Sequence, residues 1–342
     1  MEKKRIAING FGRIGRIFFR QALKNDNLEI VAVNDLADID TLAYLLKYDS
    51  VYGQYKKDIQ IEKSEKTFLK IDGKEIIFLQ QKDPLQLPWK DLNIDVVVES
   101  TGAFESFEKA SAHLQAGAKR VVITAPAKDD DGSLTKGATI ICGINDDLIS
   151  KVNITSNGSC TTNAIAPALV ILSKEIGIKK AILNTTHAYT ATQKIVDGPD
   201  AKDLRRGRAG AINLVPSTTG AAIAVGKIIK ELDGIFDGIS VRTPVPTVSL
   251  ADITFVANRK TSVEEINQIF INAANDLHWK NILTVVSDPV VSTDLIGNNN
   301  PSIVDLSFIK VIDGDLVKIL IWYDNEWGYV ASLIKHVENI NF

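Results

Sequence analysis

The chain opens on a short apolar run, residues 4–9 (KRIAIN), followed by clustered glycines and then by Ile14, Ile17, Phe18 and Leu23 at helical spacing. This order predicts a strand, a tight turn and a helix. A second apolar run over residues 28–34 (LEIVAVN) completes a βαβ unit, which implies a parallel sheet. Strands are expected again over 95–100 (DVVVES) and 120–124 (RVVIT), with a helix over 107–115 between them, so the first half reads as a doubly wound α/β domain.

Beyond Cys160 the pattern changes. A helix is expected over 161–176, ending at Gly177, whereas residues 239–258 are rich in β-branched residues and broken by Pro244 and Pro246. A helix over 263–277 has Ser262 in place to cap it, Glu265 three residues on, and Val263, Ile266, Phe270 and Leu277 on one face. A strand over 317–323 (VKILIWY) leads to a last helix over 328–337. The second half therefore reads as an α+β domain built mainly on an antiparallel sheet. With 342 residues, two domains that each bury a core are expected.

Charge narrows the search for partners. The 39 basic and 42 acidic residues leave a net of −3, so no strong field draws the chain to nucleic acid or anionic lipid, and no dedicated nucleic-acid site is expected. Arg13 and Arg16 interrupt any signal-peptide core after Lys3, Lys4 and Arg5. The best apolar run, 164–172, is too short to span a bilayer, so no membrane segment is expected. Two cysteines without CxxC pairing, and four scattered histidines, give neither a disulfide framework nor metal-ligand spacing. A reducing cytoplasm fits that usage.

Chemistry concentrates at a few motifs. Gly10, Gly12 and Gly15 form a GxGxxG between strand and helix, and Asp35 closes the next strand 20 residues after Gly15. The bland alternative is a glycine turn and a solvated aspartate. In this context a dinucleotide site is the stronger reading, and the carboxylate favours NAD over NADP. Cys160 precedes an apolar helical run and has small polar neighbours. A thiol there is drawn toward thiolate by the helix dipole, so Cys160 is a candidate nucleophile, while Cys142 among apolar neighbours reads as inert. His187, at the end of a strand among hydroxyls, is the favoured proton acceptor. His113, His278 and His336 read as surface or packing residues. Arg205, Arg206 and Arg208 suit a solvated loop, a nucleic-acid contact or an anion site; Arg242, set in an apolar strand, calls for an anionic partner.

Together these segments resemble phosphorylating glyceraldehyde-3-phosphate dehydrogenases, through NGFGRIGR at 9–16, VND at 33–35, SNGSCTTN at 156–163, HAYTATQ at 187–193 and WYDNEWGY at 322–329. The resemblance implies a Rossmann-type NAD-binding domain over 1–159, a catalytic domain over 160–323 and a C-terminal helix over 324–342 that packs back on the first domain. It implies Cys160 as nucleophile and His187 as acid/base. NAD contacts are implied at Gly10, Gly12, Arg13, Ile14, Gly15, Asp35, Lys82, Thr124 and Asn325. Two anion subsites, for glyceraldehyde 3-phosphate and inorganic phosphate, are implied at Ser159, Thr161, Thr190, Arg206, Thr219, Gly220 and Arg242. It further implies a homotetramer in which residues 189–208 lie near a neighbouring subunit, with Pro199 like the NAD-using members. The chain departs from the family at Gly158, where alanine is usual. The same scaffold carries erythrose-4-phosphate dehydrogenases, and a dinucleotide-binding regulatory or RNA-binding protein is a further alternative.

Overall fold

The computed structural model describes residues 2–342 apart from Lys202, and the chain forms two compact units. The first comprises residues 1–141, 145–158 and 333–342; the second comprises 142–144 and 159–332. The main boundary thus falls between Gly158 and Ser159. Of the segment 324–342, only its last ten residues belong with the first unit.

The first unit holds a nine-stranded sheet. Its strands are β1 (Lys4–Asn9), β2 (Leu28–Asn34), β3 (Ile59–Lys63), β4 (Thr67–Ile71), β5 (Lys74–Leu79), β6 (Val96–Glu99), β7 (Arg120–Ile123), β8 (Ala138–Thr139) and β9 (Ile154–Ser156). The order is β3-β4-β5-β2-β1-β6-β7-β9-β8, parallel from β5 onward, with β3 and β4 as an antiparallel extension at one edge. Parallel strands covered on both faces need unbroken apolar runs. Accordingly β6 is buried at every position and β1 from Ile6 to Asn9. Helices α1 (Arg13–Ala22), α2 (Ile39–Lys47) and α3 (Phe107–Gln115) belong to this unit. Phe107 and Ala110 of α3 pack on Val121, Ile123 and Ile154.

The second unit holds a seven-stranded sheet made of β10 (Ile178–Ala188), β11 (Val215–Thr218), β12 (Phe236–Thr243), β13 (Ser249–Ala257), β14 (Leu283–Val286), β15 (Ser302–Ile312) and β16 (Leu316–Tyr323). Its order is β11-β12-β10-β13-β16-β15-β14, antiparallel except where β10 meets β12 and β14 meets β15. Alternating burial along β13 follows the period of two that a half-covered antiparallel strand requires. Pro244 and Pro246 lie in the link between β12 and β13, where no ladder hydrogen bond is lost. Helix α4 (Cys160–Glu175) is buried from Thr161 to Leu172 and continues through Pro167; α5 (Ala221–Ile228) and α6 (Val263–Asn275) also belong to this unit. The backbone N–H of Glu265 donates to Ser262 Oγ at 3.2 Å, as the capping pattern predicts. Helix α6 stops at Asn275, because Asp276 caps the next turn by accepting from the His278 N–H at 2.9 Å, and Leu277 is left exposed rather than on the core face. A last helix, α7 (Trp327–Glu338), has Asp324 at its start accepting from the N–H groups of Glu326 and Trp327.

Candidate active site

In the first unit, a cleft opens at the carboxyl ends of β1, β2 and β6, where strand order reverses about β1. Gly10, with φ +96°, turns the chain there; a Cβ on it would fall 2.6 Å from the Thr101 nitrogen, and one on Gly15 would fall 2.1 Å from the Gly10 oxygen. At Gly12 a Cβ would meet nothing within 4 Å, so the backbone is open to a pyrophosphate at the start of α1. The cradle fits a dinucleotide. Asp35 lines the cleft with Lys82, and its carboxylate accepts from the N–H groups of Phe11 at 2.6 Å and Ala37 at 2.9 Å. Ile14 and Thr124 line an adjoining recess with Glu99 and Ser100. The Arg13 guanidinium donates to Asp49 at 3.1 Å and lies over the Tyr52 ring. Asn325 lies in the second unit, its Oδ1 accepting from Ser249 Oγ at 2.9 Å.

In the second unit, strand register assembles the reactive groups. Cys160 is the first residue of α4, capped by Ser159, whose Oγ accepts from the Thr162 N–H at 3.0 Å. His187, near the end of β10, puts Nε2 3.4 Å from Cys160 Sγ. Parallel pairing of β10 with β12 sets Arg242 beside His187, and antiparallel pairing of β13 with β16 sets Ser249 beside Tyr323. The Tyr323 hydroxyl is buried between the hydroxyls of Thr161 at 2.9 Å and Thr185 at 2.8 Å.

Burial pushes the Cys160 thiol up, while the Arg242 charge and hydrogen bonds from Thr161 pull it down. This corrects the expectation of a thiolate set by the helix dipole: the helix amides do act on sulfur, but desolvation outweighs them. His187 is lowered to about 3, first by burial and then by the Arg242 charge. Its Nδ1 stands 2.7 Å from the Ala188 carbonyl and 2.7 Å from Arg242 Nη1. Arg242 Nη1 also donates to the Ala188 carbonyl, at 3.3 Å, so that oxygen accepts from both groups, and an imidazole that donates to it from Nδ1 leaves the Nε2 lone pair facing the thiol.

The basic loop residues separate by partner. Arg205 pairs with Asp203 at 3.2 Å and Arg208 with Asp197 at 2.8 Å, as surface ion pairs. Arg206 instead donates to Thr192 Oγ1 at 2.7 Å, and its Nε is buried with no hydrogen-bond partner. Thr192 meets Thr190 through their hydroxyls at 3.0 Å. The Arg206 charge is felt at Arg242. Thr219 and Gly220 stand at the start of α5, with the Ala221 N–H donating to Thr219 Oγ1 at 3.2 Å. These are donors suited to anions.

The remaining candidates sort by burial. Cys142 is buried, as its apolar neighbours predict. His113 and His336 are fully buried, and exposed His278 meets the Gly143 carbonyl at 2.7 Å. Gly158 has φ +62°, a left-handed conformation that suits glycine better than alanine. Among the described residues, no group of three or more His, Cys, Asp or Glu is placed to hold a metal, and no helix is long and apolar enough to cross a membrane. Sequence reading does not single out Asn9, Asn34, Gln81, Glu99, Ser100 and Thr101 in the cleft wall, or Tyr323 beside the thiol. Their signal is a polar residue at or just past the carboxyl end of an apolar strand.

Comparison with known proteins agrees with this division. The NAD binding domain of glyceraldehyde 3-phosphate dehydrogenase matches residues 4–107, and the C-terminal domain of the same family matches residues 159–325. A glyceraldehyde-3-phosphate dehydrogenase from Sclerotinia sclerotiorum is 44% identical over 100% of this chain and 99% of its own length. One from Mycolicibacterium smegmatis is 46% identical over 96% of both. Glyceraldehyde-3-phosphate dehydrogenase A, chloroplastic, from Chlamydomonas reinhardtii is 44% identical over 98% of this chain and 89% of its own. Matches of this extent, falling on the segments that build the cleft and the thiol cluster, make the chain a member of the glyceraldehyde-3-phosphate dehydrogenase family.

Proposed function

We propose that the protein oxidises glyceraldehyde 3-phosphate in the presence of NAD and inorganic phosphate, giving 1,3-bisphosphoglycerate, as a glycolytic or gluconeogenic enzyme. The observation that carries this reading is the 3.4 Å approach of Cys160 Sγ to His187 Nε2 beside Arg242. NAD, held by the Gly10–Gly15 turn and Asp35, supplies the hydride acceptor.

Cys160 Sγ attacks the aldehyde carbon as its proton passes to His187 Nε2 and on to the former carbonyl oxygen, giving a neutral hemithioacetal. His187 then takes the hydroxyl proton as hydride leaves carbon, and a thioester remains on Cys160. An oxygen of inorganic phosphate attacks that thioester carbon. The imidazolium returns its proton to the departing sulfur, while the phosphate proton goes to solvent. Arg206, Arg242, Thr190, Thr219 and the amides at Gly220 supply donors for the substrate phosphate and the attacking phosphate, with Ser159 and Thr161 at the head of α4.

NADH formation by the purified protein tests the reading. Glyceraldehyde 3-phosphate should be oxidised, and phosphate should stimulate multiple turnovers. Preference for erythrose 4-phosphate with no phosphate stimulation would transfer the assignment to that activity. NAD binding with no turnover of either aldehyde would favour a regulatory protein.

A cytoplasmic homotetramer completes the proposal. Ile195, Val196 and Leu204 are 84%, 73% and 86% exposed within residues 189–208, an apolar display suited to a neighbouring subunit. Native mass spectrometry should give four chains per particle.

A further inference from the structure

Beneath the dinucleotide cleft lies a buried polar network that the reaction does not use. Glu99, at the carboxyl end of β6, is 2% exposed and His113 of α3 is 0% exposed. Glu99 Oε2 accepts from Asn9 Nδ2 at 2.6 Å and from His113 Nε2 at 3.1 Å. Its Oε1 accepts from the Thr101 N–H at 2.8 Å and from the Thr101 hydroxyl. On the far side of the imidazole, Trp89 Nε1 lies 3.0 Å from His113 Nδ1. An indole N–H only donates, so Nδ1 must accept and the imidazole proton must sit on Nε2, aimed at the carboxylate. The chain continues the other way: Asn34 Nδ2 donates to Asn9 Oδ1 at 2.7 Å, and the Gln81 N–H donates to Asn34 Oδ1 at 2.8 Å.

With Nε2 protonated, the Asn9 amide that lies 3.4 Å from it donates to Glu99 instead, so the donors converge on the carboxylate. Asn9, Asn34, Gln81 and Thr101 line the cleft, whereas Trp89 and His113 lie behind it. Desolvating a carboxylate is expensive, and apolar side chains of similar shape fill a core at no such cost. What the network adds is a fixed orientation for the Asn9 amide and the Thr101 loop.

We propose that His113, held in its Nε2-protonated form by Trp89, is a positioning residue for the dinucleotide, acting through Glu99 on Asn9 and Thr101. Loss of the His113 donor leaves Oε2 held by the Asn9 amide alone and loosens the cleft wall. Chemistry at Cys160 is left alone.

The test compares His113→Leu with His113→Gln in the full chain, after NAD binding by the unmodified protein has been measured separately. His113→Leu should raise the NAD dissociation constant about tenfold, the scale of one hydrogen bond to a charged group. The KM for the aldehyde, kcat at saturating NAD and the rate of Cys160 alkylation should stay within about twofold. His113→Gln, whose amide N–H can face Glu99 while its oxygen faces Trp89, should restore binding. Unchanged affinity in His113→Leu, or equal weakening in both variants, would overturn the proposal. Histidine ring 15N spectra of the unmodified protein provide a check that needs no variant. They should contain a neutral ring with its proton on Nε2 that shifts in Trp89→Phe; a proton on Nδ1 of that ring would also overturn it.

Discussion

Arg242 Nη1 lies 2.7 Å from His187 Nδ1, and the pairing of β10 with β12 holds the two residues in register. A fixed cation beside an imidazole disfavours imidazolium, and the same cation favours thiolate on Cys160. One arginine therefore favours the deprotonated form of both partners, so its two effects oppose each other in the transfer from sulfur to nitrogen.

Arg242→Gln should undo both effects. The His187 value should rise from about 3 toward its ordinary 6.5, and the Cys160 thiol should rise further. Alkylation by iodoacetamide, a neutral reagent, should slow near neutrality, with its midpoint moved to higher pH. Labelling in the unmodified protein should fall on Cys160 and spare buried Cys142.

His187→Asn removes the proton acceptor at the end of β10. A fall in kcat of about 100- to 10,000-fold is expected, with the NAD dissociation constant unchanged, read by steady-state kinetics and calorimetry.

Asp35→Ala tests cofactor choice. Its carboxylate is anchored on the Phe11 and Ala37 amides at the edge of the cleft. The KM for NAD should rise by roughly tenfold, and discrimination against NADP should narrow, because a negative group that repels a 2′-phosphate is gone.

Acid stability follows from His336. Burial lowers it to about 3, and its ring meets Asn157 Oδ1 at 3.1 Å in the first unit. Between about pH 6.5 and 3 the unfolded chain binds a proton here that the folded chain does not, so stability falls as pH drops through that window. The loss at pH 5 is about 2 kcal/mol from this group. Denaturant midpoints for His336→Leu should vary less between pH 7 and pH 5 than those of the unmodified protein.

Much of the fold is legible in the sequence because local and tertiary signals coincide. The runs 4–9 and 28–34 are buried parallel strands, and the glycine turn between strand and helix has a backbone requirement that Gly10 meets with φ +96°. Elsewhere only folding brings partners together. Nothing around Arg242 in sequence identifies His187, 55 residues away, as its neighbour; the register of a parallel pair does. Likewise His113 reads as a surface or packing residue of a helix, and its partners emerge only when α3 is laid over the sheet, where Trp89 and Glu99 enclose it. The protonation of the thiol is hidden for a related reason. A helix start is visible in sequence, but the desolvation that opposes it depends on the packed surroundings.

Mass spectrometry of the protein mixed with NAD and glyceraldehyde 3-phosphate, without inorganic phosphate, tests the covalent chemistry most directly. An acyl group should be found on the peptide bearing Cys160, and it should disappear on adding phosphate as 1,3-bisphosphoglycerate forms. An unmodified Cys160 during turnover, or a Cys160→Ser variant that turns over as fast as the unmodified protein, would contradict the account.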